Sequence, residues 1–373
     1  MEITYAALGL RRVINASATL TKLGGSRMPP AVVAAMAAAA QDFIDLHELQ
    51  YVVGERIAAL THNEACYVSS GAAAGITLAV AACIAGTDPA KINAFPYLDD
   101  QPREVIIYRS QRNGYDYAAR LTGARFREIG PDPAELHAAI CERSACVLWF
   151  AGIHFAKNAL PLPQVIAIAH DHHIPVLVDA AAQIPPIANL WHFTRDLGAD
   201  IAIFSGGKGL RGPQPTGLIL GRRDLIEGCR ANGNPNHALG RPMKVGKEEL
   251  LGMLAAITWS LEQDEPALLA RYEAIVQYWL AGLADIPGLL LERGYPSEAG
   301  QPHSRAVFHL TPAAQCSRAA LVQALWERNP RIAVGLVGDD AIALNPQTIA
   351  DGEEQLVLTA LREELAALSY KVL

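Results

Sequence analysis

FSGGKGLRGPQ (204–214) follows the apolar run ADIAIF (199–204) and precedes a second run, TGLILG (216–221). Continuous apolar runs of this length read as strands buried on both faces. The glycines around Lys208 permit close backbone approach to whatever the lysine faces. Upstream, PVLVD (175–179) is a further apolar run and ends on Asp179. One strand, one crossover helix and the next strand bring an acid and a lysine to the same edge of a parallel sheet.

An amine and a buried acid in that relation suit one kind of chemistry. The amine condenses with an aldehyde, while the carboxylate keeps a pyridine nitrogen protonated so that the ring accepts electrons. Lys208 is therefore predicted to hold pyridoxal 5'-phosphate (PLP) as a Schiff base, with Asp179 against the ring nitrogen. A phosphate site is predicted at Ser69-Ser70-Gly71, where the strand-like run Ala65 to Val68 turns into the apolar helix 72–85. Backbone N–H groups and the helix dipole favour an anion there, and Ser205 beside the lysine adds a hydroxyl.

The flanking sequence alternates. Strands are predicted at EVIIY (104–108), 125–129 and ACVLWF (145–150), with helices at 114–123, 133–142, 163–172 and near 190–197. Residues 29–42 and 50–60 read as helices. This pattern predicts an α/β fold with a mostly parallel sheet, ligands binding at the C-terminal strand ends. Beyond 247 a long helical segment (248–284) leads to strand-like 306–310, a helix 317–328, strand-like 331–337 and 340–345, and a last helix 352–368. The expected organisation is an N-terminal segment (1–45) packing with a small C-terminal α/β domain (248–373), and a large cofactor domain (46–247).

FSGGKGLRGPQ, VDAAAQIPP (178–186), GRPMKVGKEEL (240–250) and INASATLTKLGGS (14–26) together resemble the fold-type I PLP enzymes of the selenocysteine synthase-like group. The likeness spans nearly the whole chain. It implies the aspartate aminotransferase-like fold with a seven-stranded sheet, Lys208 and Asp179 in the roles above, and Ser70, Gly71, Ala72 and Ser205 around the phosphate. Gln111 stands where that group commonly carries a histidine suited to cover the ring, and Gln347 where relatives often carry an arginine. The selenium transferases of the group have an extra N-terminal tRNA-binding domain. Here the INAS motif begins at residue 14, and the net charge is -7, so no nucleic-acid partner is expected.

The composition is 51% hydrophobic and 18% charged, which excludes a disordered chain. No run reaches the roughly 20 apolar residues of a membrane span, and the N-terminus lacks a secretory pattern. Six cysteines without a CxxC pair suit a reducing cytoplasm. Arg211 and Gln214, close to the lysine, are candidate substrate contacts, as are His154 after ACVLWF and Arg241 and Lys244 in a basic cluster with Lys247. His170, His172 and His173 lack an acidic partner motif, so no metal is expected there.

The resemblance implies a lyase that removes an α-proton from a small hydroxy amino acid or amino-sugar acid and eliminates at the β-carbon, giving ammonia and a 2-oxo acid. Racemisation or epimerisation, and retro-aldol cleavage, use the same cofactor and remain open, as does a scaffold without turnover. A homodimer or larger homo-oligomer is expected.

Overall fold

The computed structural model describes residues 3–98 and 101–369. Contacts divide the chain into two compact units, Met28–Gln263 and Met1–Arg27 with Asp264–Leu373. These boundaries differ from the expected ones at 45 and 247. Helix Pro30–Ala39 packs on helix Lys247–Leu261, which keeps both in the larger unit. The single helix expected over 248–284 is interrupted, because the Asp264 side chain accepts from the Ala267 N–H at 3.0 Å and starts a new helix, Glu265–Leu283.

Strand β1 (Val13–Ala16) belongs to the smaller unit. In the larger unit the strands are β2 (Ala65–Ser69), β3 (Glu104–Tyr108), β4 (Arg125–Ile129), β5 (Ser144–Phe150), β6 (Val176–Asp179), β7 (Ile201–Ser205) and β8 (Gly217–Gly221). They form one seven-stranded sheet in the order β2-β8-β7-β6-β5-β3-β4. Every pairing is parallel except those of β8, which runs against β2 and β7. The predicted mostly parallel sheet is therefore present, and β2, β3, β5, β6 and β7 all end on one edge.

Strand pleating sorts the side chains onto two faces. Ile106, Val147, Val178, Ala202 and Leu218 pack on one, while Val105, Leu148, Leu177, Ile203 and Ile219 pack on the other together with Ile76 and Val80 of helix Ala72–Ala85. Asp179, Ser205 and Ser69 have the parity of the second face. Gly75 lets that helix settle onto the sheet, since a Cβ there would lie 2.8 Å from Ile203 Cγ2.

In the smaller unit β1 pairs parallel with β11 (Arg331–Val337). Strands β9 (Leu289–Gly294), β10 (Arg305–Leu310) and β12 (Ala341–Leu344) complete a five-stranded sheet in the order β1-β11-β12-β10-β9. Strand β9 had no counterpart in the sequence reading. Trp279, Val276 and Leu361 are fully buried in this unit's core. The helix expected over 114–123 shortens to a 3-10 turn Gly114–Asp116 and one helical turn Tyr117–Arg120.

Candidate active site

Asp179 is the last residue of β6 and lies opposite Ile203 of β7, two residues short of Ser205. Its Oδ1 accepts the Ala181 N–H at 2.9 Å. Burial holds the carboxyl above the usual carboxylate range, against the Ala181 N–H and the positive charge of Lys208, which both pull it down. Lys208 follows β7, the strand paired with β6, so lysine and acid lie at neighbouring strand ends.

The loop carrying Lys208 is held by its own backbone. Gly206 N–H donates to Thr216 O at 2.8 Å, Gly212 N–H to Gly206 O at 2.8 Å, and Arg211 N–H to Lys208 O at 3.0 Å. A Cβ on Gly206 would lie 2.1 Å from Thr216 Oγ1, one on Gly207 2.6 Å from Gln214 Cα, and one on Gly209 2.2 Å from Ile184 O. Gly207 and Gly209 are thus required by backbone crowding and Gly206 by the Thr216 and Met253 side chains, and the tight loop sets where the half-buried Lys208 side chain starts.

Across the sheet, Ser69 and Ser205 both pair with Gly217. A Cβ on Gly217 would come within 2.5 Å of Gly71 C and 2.8 Å of Ala72 N. Only glycine lets β8 pass beneath the start of helix Ala72–Ala85. Gly71 is the N-cap, with φ 111°, and no side chain caps the helix. The first-turn N–H groups are left for another acceptor. Ser69 Oγ donates to Gly71 O at 2.9 Å and shapes this turn. The sequence reading missed Gly217; its Thr-Gly entry into a strand was the available signal.

Gln111, buried in the turn after β3, is tied to the end of β5. Its Oε1 accepts the Phe150 N–H at 2.8 Å, and its Nε2 donates to Phe155 O at 3.1 Å. Phe150 is in turn opposite Asp179. The side chain thus locks two neighbouring strand ends together.

Among the substrate candidates, His154 lies exposed in the short helix Ile153–Ala156 just beyond β5, on the same sheet edge. Arg211 has φ 54°, and its guanidinium sits 5.1 Å from the Trp259 ring centroid. Gln214 is exposed beside Gly207. Arg241 is half-buried and Lys244 exposed in the segment after Gly240. Lys247 is committed elsewhere, donating to Ala39 O at 2.7 Å and to Glu248 at 2.6 Å.

The donor set fits PLP: an uncapped helix start flanked by serines for the phosphate, a buried acid for the ring nitrogen, and a lysine between them. A family model described as aminotransferase class-V matches residues 120–241. A 5'-C-glycyluridine monooxygenase-decarboxylase of a Streptomyces species is 32% identical over 95% of this chain and 90% of its own. The D-glucosaminate-6-phosphate ammonia lyase of Salmonella typhimurium is 30% identical over 96% of this chain and 97% of its own. An L-seryl-tRNA(Sec) selenium transferase of Desulfovibrio desulfuricans is 27% identical over 72% of this chain and 65% of its own. The solved structure of a D-glucosaminate-6-phosphate ammonia-lyase superposes with a TM-score of 0.85 at 29% identity, covering 99% of this chain and 100% of that one. Full-length identity of this order, together with the site at the strand ends, settles the family: the chain belongs to the fold-type I PLP-dependent enzymes of the selenocysteine synthase-like group.

Proposed function

We propose that the protein is an ammonia lyase acting on a small hydroxy amino acid or amino-sugar acid. The carrying observation is the convergence of Lys208, buried Asp179 and the uncapped start of helix Ala72–Ala85 on one sheet edge. The full-length likeness to D-glucosaminate-6-phosphate ammonia lyase supports the reaction class. When bound, PLP supplies an electron sink for a carbanion at the substrate α-carbon.

Each residue then has a defined task. Lys208 Nζ would anchor the cofactor and serve as the base for the substrate α-proton. Asp179 keeps the pyridine nitrogen protonated. The N–H groups of Gly71 and Ala72, with the hydroxyls of Ser70 and Ser205, would hold the phosphate, whereas Ser69, expected there too, is buried and spends its hydroxyl on Gly71 O. Gln111, expected to cover the ring, is wholly buried with its amide spent on Phe150 and Phe155, so it ties the strand ends together instead. His154, Arg211, Gln214, Arg241 and Lys244 are proposed to face the substrate, the cations suiting its carboxylate or phosphate.

The relative named a monooxygenase-decarboxylase favours a second reading, oxygen-dependent decarboxylation of an amino-acid group. Incubation of the PLP-loaded protein with D-glucosaminate 6-phosphate and with hydroxy amino acids separates the two. Ammonia and 2-oxo acid in equal amounts without oxygen uptake support the lyase. Carbon dioxide release with oxygen uptake overturns it, as does solvent deuterium at the α-carbon without ammonia, which marks a racemase, or aldehyde release, which marks retro-aldol cleavage.

A cytoplasmic homo-oligomer completes the proposal. The six cysteines are free, and among the described residues no helix is long and apolar enough to cross a membrane. Segment 33–52 exposes Val33, Phe43, Ile44, Tyr51 and Val52, with Phe43 at 103% exposure, an apolar surface suited to a second copy. Sedimentation equilibrium tests this, and a monomer at micromolar concentration overturns it.

A further inference from the structure

Two histidines far apart in sequence meet on the surface of the larger unit. His137 is in the last turn of helix Pro133–Ala139, and His172 caps the C-terminus of helix Leu162–Asp171. These helices pack together, and His137 Nδ1 lies 3.1 Å from His172 Nε2, with the rings inclined at 66°. Both side chains are exposed. His170, their neighbour in sequence, points elsewhere and pairs with Asp200 at 2.9 Å.

We propose that His137 and His172 form a two-nitrogen site for a borderline divalent cation, Cu(II), Ni(II) or Zn(II). Two nitrogens 3.1 Å apart, each bound at about 2.05 Å, subtend about 98° at the metal, between square-planar and tetrahedral values. Without metal, one of the facing nitrogens must carry a proton and donate it to the other. With metal, both rings turn to the tautomer that offers a lone pair, and the remaining N–H groups face away. No net proton is released when both rings start neutral. Acid competes with the metal for the same lone pairs.

Both rings stand at helix C-termini, where the helix dipoles carry partial negative charge. His173 has φ 59° and closes the helix after His172, its N–H donating to His170 O at 3.0 Å and the Ile174 N–H to Ala169 O at 2.9 Å. Among the described residues no group of three or more His, Cys, Asp or Glu could hold a metal, so water fills the remaining positions. Imidazole ligands without carboxylates select Cu(II), Ni(II) or Zn(II) over Mg(II) and Ca(II).

The test uses tag-free, PLP-loaded protein titrated with Cu(II), followed by equilibrium dialysis and electron paramagnetic resonance. One tight equivalent per chain with a two-nitrogen hyperfine pattern is expected. His137→Gln and His172→Gln each weaken it by about tenfold or more, because each removes one arm of a chelate. His172→Asn gives a second route should either glutamine variant fold poorly; visible absorption of the bound cofactor and far-UV circular dichroism report folding. Copper binding that is absent in the wild type, or unchanged in the variants, overturns the site.

Discussion

Ser69 and Ser205 stand in register on either side of Gly217, one on each strand that flanks it. Adjacent strands are about 4.8 Å apart, so the two serine backbones lie about 10 Å from each other. The start of helix Ala72–Ala85 lies against Gly217 between them. An anion seated at the helix start would meet its N–H groups, while the Ser69 hydroxyl stays bound to Gly71 O and shapes the turn.

Gly217→Ala tests that arrangement. The added Cβ meets the Gly71–Ala72 peptide at 2.5 to 2.8 Å, and backbone cannot yield as a flexible side chain does. We expect a stability loss of about 1–3 kcal/mol and weaker PLP binding. Denaturant melts and quenching of tryptophan fluorescence by added PLP measure the two effects. Unchanged PLP affinity would remove the phosphate from this turn.

Lys208→Ala should abolish the covalent cofactor link and cut turnover by at least about a hundredfold, the contribution of a positioned acid–base group. Borohydride reduction followed by peptide mass spectrometry reads the link directly. Wild-type protein modified at a different lysine would refute the assignment.

Asp179→Asn separates stability from activity. Burial raises the carboxyl pKa in the cofactor-free fold, so its stabilising contribution is full below the unfolded value and fades as pH rises through the folded one. Above the unfolded value, burying the carboxyl therefore costs stability. The cofactor-free Asp179→Asn protein, which keeps an oxygen for the Ala181 N–H, should therefore melt a few degrees higher than wild type at pH 7. The difference should shrink in acid. Loaded with PLP, the variant should turn over at least about a hundredfold more slowly, since the ring nitrogen loses its anionic partner.

Gln111→Ala leaves the Phe150 N–H and Phe155 carbonyl without partners in a buried position. A cost of about 1–3 kcal/mol is expected. Chemical denaturation measures it, and a neutral effect would show that water replaces the amide.

Much of this was legible in the chain. The apolar runs, their spacing and the glycine-flanked lysine were enough to place Lys208, Asp179 and Ser205 on neighbouring strand ends, because strand direction follows from crossover connections. The helix-to-helix break at Asp264 was present as a capping residue, and the mixed apolar texture of 248–284 concealed it. Strand β9 was overlooked although Pro287-Gly288 mark a turn directly before LLLERG (289–294). Gln111 was legible as a departure from the family pattern, while its bonds to Phe150 and Phe155 depend on residues about forty positions away.

By itself the sequence determined the cofactor chemistry and the sheet that presents it, since local hydrophobic patterning and chain connectivity are properties of neighbouring residues. Only the tertiary structure decided what lies opposite what: Gly217 beneath the helix start, Gln111 on the end of β5, His137 against His172. Those relations come from the packing of segments remote in sequence, where contact distance is set by the whole sheet and no local pattern records it.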